Sequence, residues 1–125
     1  NPKTKQGLTF SQSQTYFQWW AIANAPLLLG TDLTKLSFEL KKLLTNEEII
    51  AVNQDFVDQV GVQVSSMMSN NNVWAKKLSG NRIVALLRGT VSPFHSVTVF
   101  WSDLGVPLHR KFHLRDITNR KDIGV

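Results

Sequence analysis

A chain of 125 residues with a hydrophobic fraction of 42% has room for one ordinary domain or for pieces of two. Cysteine is absent, which excludes a disulfide frame, thiolate metal ligation and a cysteine nucleophile, and leaves the redox compartment open. The formal charge of +5 comes from scattered basic residues that alternate with apolar ones, as in His109–Arg115; this is the pattern of a solvated strand face and speaks against a nucleic-acid partner.

The amino-terminal Asn1-Pro-Lys-Thr-Lys-Gln6 is polar, lacks an initiator Met and does not read as a signal peptide. A processed or excised segment is the expectation. Thr9-Phe-Ser-Gln12 then fits a capping box, which predicts a helix over about Phe10–Asn24. Its polar stripe runs through Gln14 and Gln18 and continues as Ala21 and Ala25, with Tyr16, Phe17 and Trp20 turned away from it. Between Tyr16 and Leu29 only Gln18 and Asn24 are clearly polar. A helix apolar nearly all round belongs inside a protein. No apolar run reaches the ~18 residues that cross a bilayer, because Asn24 and Pro26 interrupt Ala21–Leu29, so no membrane partner is expected.

Pro26 ends the helix, Leu27-Leu-Leu29 reads as a short buried run, strand or extended, and Gly30-Thr-Asp32 reads as a turn. Ser37 caps a second helix with Glu39 early, Lys41 and Lys42 late, and a stripe at Leu36, Leu40, Leu43 and Leu44. Asn46 caps a third, with Glu47 and Glu48 in its first turn, ending near Asn53-Gln-Asp55. After Asp55 the period changes to two. Strands are expected at Val60–Val64, Val73–Leu78, Arg82–Leu87, Ser96–Trp101 and Lys111–Arg115, about five antiparallel strands at sandwich spacing. Ser79-Gly-Asn81 reads as a hairpin turn, Ser65–Asn72 as a turn-rich connection.

Glycoside hydrolysis needs two carboxylates facing one sugar bond. Glu39, Glu47 and Glu48 are explained by helix starts and Asp103 by a turn. Asp32 alone has a site-like setting, after an apolar run and Gly30, but a loop or capping role accounts for it. No pair stands out. His109 and His113 have a helical metal-ligand spacing in strand-like sequence, which separates them too far, and His95 reads as part of a turn after Ser92-Pro-Phe94. No metal or cofactor is expected. Trp19, Trp20, Trp74 and Trp101 could stack on sugars, but they lie on apolar faces, where core packing is the simpler account.

Ala25-Pro-Leu-Leu-Leu-Gly-Thr-Asp-Leu33 followed by Leu44-Thr-Asn-Glu-Glu-Ile-Ile-Ala-Val-Asn-Gln-Asp55 resembles the α-galactosidases (melibiases) of glycoside-hydrolase clan D. The similarity continues through Val73-Trp-Ala-Lys-Lys-Leu-Ser-Gly80, Trp101-Ser-Asp-Leu-Gly-Val-Pro107, Leu114-Arg-Asp-Ile117 and Lys121-Asp-Ile-Gly124. The resemblance implies the C-terminal portion of such an enzyme. Residues 1–55 would be the helical end of a (β/α)₈ catalytic barrel, and 56–125 an incomplete antiparallel β-sandwich. It also argues against a strand at Leu27–Leu29, since the family's last barrel strand lies upstream. Phe56-Val-Asp58 replaces the family's Pro-Leu-Gly, so the linker turn is expected to differ, and the family's sandwich continues beyond Val125.

The family mechanism is retaining, with an aspartate nucleophile in a Lys-x-Asp-like motif and an aspartate acid/base, each on a barrel strand. Neither motif occurs here, nor does the Trp-Asn-Asp-x-Asp-Met segment of the galactose pocket, so no catalytic residue is carried over and the chain alone is expected to be inactive. The parent would cleave terminal α-galactosyl residues from oligosaccharides or glycoconjugates in a secreted, vacuolar or lysosome-type compartment. Its partners would be the missing N-terminal barrel and galactosides. Without the barrel, Trp19, Trp20 and Ile22 would face water, so the isolated chain is expected to fold poorly, to aggregate, or to self-associate through the exposed Trp19/Trp20 helix. The alternative is a free-standing carbohydrate-binding or scaffolding sandwich, marked by an exposed coplanar tryptophan pair, whereas a buried Trp74 and Trp101 would mark the fragment.

Overall fold

The computed structural model describes residues 7–64, 71–89 and 96–125. Three α-helices come first: α1 (Phe10–Ile22), α2 (Phe38–Leu44) and α3 (Glu47–Gln54), with a single 3-10 turn at Leu33–Lys35. Five strands follow: β1 (Val62–Gln63), β2 (Asn71–Leu78), β3 (Arg82–Gly89), β4 (Leu114–Asp116) and β5 (Lys121–Gly124). They form an antiparallel sheet β1-β2-β3 and a separate antiparallel pair β4-β5. The order is helical, then β, as the composition change after Asp55 predicts.

Each helix starts where its local chemistry says. Thr9 and Gln12 close a reciprocal capping box. Ser37 Oγ accepts from Leu40 N, and Asn46 Oδ1 accepts from Glu48 N and Ile49 N. α1 stops two residues before the expected Asn24, because Asn24 itself turns left-handed with φ 51° and Pro26 follows. The β2–β3 hairpin pairs Leu78 with Arg82 around Ser79-Gly-Asn81, where Gly80 and Asn81 both have positive φ.

The helices and the three-stranded sheet share one core. Phe17, Ala21, Leu43, Ile49 and Val52 are buried together, and Leu78 and Val84 of the sheet pack against them with Leu27, Leu40 and Ile117. On β2, Trp74, Lys76 and Leu78 face the helices, while Val73 and Ala75 alternate onto the other face and are buried there.

Several expectations are corrected. Leu27–Leu29 is not a strand: no strand lies beside it, and Leu28 and Leu29 are 81% and 51% exposed. Among the described residues Ser96–Phe100 has no ladder partner and no regular structure, and Trp101 opens a turn. The strand expected at Lys111–Arg115 is confined to Leu114–Asp116, and its partner β5 was not anticipated. Ala21 is turned into the core, where α3 packs on α1. Ile22 is 2% exposed rather than facing water, because Gly61 passes directly over it. Trp19 and Trp20 are half-buried, not exposed: Trp19 meets Trp74 and Trp20 meets Tyr16, each edge-on. Of the turn-rich connection expected at Ser65–Asn72, Asn71 and Asn72 already belong to β2, while 65–70 and the turn around His95 lie outside the described residues.

Candidate functional site

The joint between helices and sheet is built from the carbonyl oxygens that helix ends leave without partners. At the end of α1, Trp20 O accepts from Ala25 N and from Asn53 Nδ2, and Ile22 O accepts from Gly61 N. At the end of α3, Ala51 O accepts from Asp55 N, Asn53 O from Asn24 Nδ2, and Val52 O from Lys76 Nζ at 2.6 Å. Asn24 Oδ1 accepts from the same ammonium at 2.8 Å. Lys76, at 2% exposure, is therefore a buried cation between two helix ends. Burial pushes its pKa down, while the Asp55 charge pulls it up. The sequence reading missed it. Lys76-Lys77 looks like a solvated pair, although alternation with Trp74 does place Lys76 on the helix-facing side.

Most of the carboxylates are committed to scaffolding. Asp32 holds Thr34 N and Oγ1. Asp55 accepts from Ser79 N, Ser79 Oγ and Arg82 Nη2, tying the end of α3 to the hairpin turn. Glu48 receives two nitrogens of Arg115 and one of Arg120, which binds β4 and the β4–β5 turn to the start of α3. Asp116 folds the β4–β5 turn through Thr118 N and Asn119 N. Hydrogen bonds and neighbouring cations hold all four below the usual carboxylate range: Thr34 at Asp32, Arg115 at Glu48, Ser79 at Asp55 and Asn119 at Asp116. A glycosidase general acid needs the opposite shift. Asp103 accepts from Phe100 N.

The groove beside α1, about 410 Å³, is lined by Leu8, Gln12, Tyr16, Trp19 and Arg88 among others and by no carboxylate. His113 Nε2 lies 3.4 Å from Asp122 Oδ1, and among the described residues no three His, Asp or Glu side chains gather. Trp74 is half-buried, not core. Trp101 is 41% exposed, its ring 6.3 Å from that of Phe112 at 18°.

Comparison with known proteins bears on the whole chain. Residues 4–55 match the family described as "Alpha galactosidase A", and residues 69–125 match "Alpha galactosidase C-terminal beta sandwich domain". An alpha-galactosidase of Coffea arabica is 37% identical over 113 residues, which is 89% of this chain and 29% of the relative. An alpha-N-acetylgalactosaminidase of Gallus gallus is 33% identical over 94% of this chain and 29% of its own length. The crystal structure of alpha-galactosidase I from Mortierella vinacea superposes with a TM-score of 0.86 at 24% identity, covering 98% of this chain and 32% of that one. The chain thus spans under a third of the relatives it matches.

Proposed function

Because this chain belongs to the alpha-galactosidase (melibiase) family, of which it carries the C-terminal portion, we propose that it is the non-catalytic closing part of a retaining α-galactosidase. Its parent hydrolyses terminal α-D-galactosyl residues of oligosaccharides or glycoconjugates. Residues 1–55 complete the barrel's helical layer and 56–125 form the attached sandwich. The catalytic aspartates belong to the barrel strands that this sequence does not contain, and residues 1–125 hold no activity of their own. A secreted or vacuole-type location follows from the same reading. The described helices, for their part, include none long and apolar enough to cross a membrane.

One observation carries this reading. Much of the open surface is apolar and contiguous in sequence with α1 and α2: Leu8, Tyr16, Leu28, Leu29, Leu33 and Phe38 are all more than half exposed. A soluble monomer rarely displays so much; a surface made to meet another domain does. The shared helix–sheet core explains how the segment holds its shape meanwhile.

The near-parallel Trp101–Phe112 pair favours a second reading, a carbohydrate-binding sandwich, because exposed ring faces take pyranose rings. The helix-facing pair does not support it, since Trp19 and Trp74 meet at 73° and share no platform.

A chimera tests the proposal. The chain replaces the matching C-terminal portion of the Coffea arabica relative, and an aryl α-galactoside is the substrate. Activity in the chimera with none in the isolated chain is the expected result. An inactive but folded chimera, or hydrolysis by the chain alone, overturns it.

A further inference from the structure

The Lys76 ammonium is held without a carboxylate. Among the described residues no acidic group lies within ion-pair distance of Nζ. Asp55 acts on it only through space and spends its own oxygens on Ser79 and Arg82. What surrounds the charge is neutral oxygen: Val52 O, exposed by the end of α3, and Asn24 Oδ1, presented by the left-handed residue after α1. Two helix C-termini converge there, each carrying the negative end of its dipole. Asn24 and Asn53 lock the arrangement. Asn24 Nδ2 donates to Asn53 O at 2.6 Å, and Asn53 Nδ2 donates to Trp20 O and Ala25 O at 3.0 and 2.8 Å. Asn53 is 6% exposed, and among the described residues no buried side-chain polar atom is without a partner, so the amides around the ammonium are each held in place.

We propose that this joint is a monovalent-cation seat whose occupant is the chain's own Lys76 ammonium, and that the seat takes a small primary ammonium ion when that side chain is removed. The inference does not depend on the galactosidase reading. In it, Lys76 is a positioning residue. Its aliphatic stem crosses from β2, and its charge ties the sheet to both helix ends at once. Arginine is too broad and planar for a cage of two oxygens facing one point, and methionine fills the stem's volume but offers no donor.

Two measurements decide it. In the wild-type chain, amine acylation followed by peptide mapping should label Lys76 at least about tenfold more slowly than its exposed neighbour Lys77, because reaction requires the joint to open. Equal rates overturn the proposal, whatever the variants do. Lys76→Gly should melt roughly 5–10 °C lower than wild type and recover in methylammonium or propylammonium chloride. Tetramethylammonium and sodium chloride at the same ionic strength should not restore it. Lys76→Met should be destabilised and not recover in any of them. Equal recovery in tetramethylammonium, or a Lys76→Met variant as stable as wild type, shows that no cation seat exists. Should Lys76→Gly fail to fold in every salt, the seat as an exogenous site is refuted.

Discussion

Gly61 is pressed against Ile22 at the end of α1. Its N–H donates to Ile22 O at 2.8 Å, and a Cβ on Gly61 would sit 2.6 Å from Ile22 Cγ1 and 2.9 Å from that carbonyl oxygen. The contact seals the helix end and buries Ile22 beneath the segment that leads into the sheet. A side chain could rotate away, but the carbonyl cannot without moving the helix. Gly61→Ala should therefore cost about 1–3 kcal/mol in urea unfolding. Gly30→Ala, with nothing within 4 Å and no positive φ, should be neutral or slightly stabilising.

Asn46 performs two tasks from one buried amide. Its Oδ1 caps α3, and its Nδ2 donates to Ile117 O at 3.0 Å, joining the β4–β5 turn to the helix layer. Asn46→Ala removes both and should destabilise by about 2–3 kcal/mol. Asn46→Ser keeps a capping oxygen and loses the donation, so it should cost about half as much. Equal losses in the two variants would assign the whole effect to the turn contact.

The Glu48–Arg115–Asp122 cluster gives the fold an acid limit. The Glu48 pKa is lowered, chiefly by its hydrogen bonds to Arg115, so its folded carboxylate holds on to charge that the unfolded chain gives up at higher pH. The contribution is complete above the ordinary carboxylate range, about pH 4–4.5, and is lost as pH falls through the lower folded value. Asp55 and Asp116 act with the same sign. Glu48→Gln should flatten the decline of stability between about pH 5 and pH 2. Since both partners are partly exposed, 1 M salt should shrink the wild-type effect in the same window.

Leu28 and Phe38 are 81% and 77% exposed and belong neither to the buried cluster nor to the partly buried side chains packed against it. Replacing both with serine should leave the chain's own stability within about 0.5 kcal/mol, since nothing is unpacked. The same change should suppress self-association in sedimentation and weaken a chimera with the Coffea arabica relative. Loss of intrinsic stability instead would mean that these residues belong to the chain's core.

What could be read in the sequence was what is settled within a few residues. Thr9, Ser37 and Asn46 announce their helices because a cap acts on the next three amides, and Ser79-Gly-Asn81 announces a hairpin because positive φ is a local demand. The family likeness runs from Ala25–Leu33 through Leu44–Asp55 and Val73–Gly80 to Lys121–Gly124, and it includes Asn53, Asp55 and Lys76, residues that hold the joint together. Readings that depended on distant partners fared worse. Leu27–Leu29 is apolar enough for a strand, but apolarity says that a surface is to be covered, not by which element or whether by this chain. Ile22 and Trp19 have the same composition signal and are covered, by Gly61 and Trp74. Lys76 was invisible for the converse reason: a charged residue reads as solvated until two helix ends, 24 and 52 residues away, are seen to supply its oxygens.

Association in trans tests the central claim most directly. The Coffea arabica relative, cut before the portion that matches this chain, is titrated with residues 1–125 while hydrolysis of an aryl α-galactoside is followed. The account predicts no hydrolysis from the chain alone, and a saturable rise to a plateau at one chain per truncated enzyme. Hydrolysis that scales with the isolated chain, or a folded chain that never binds the truncated enzyme, would contradict it.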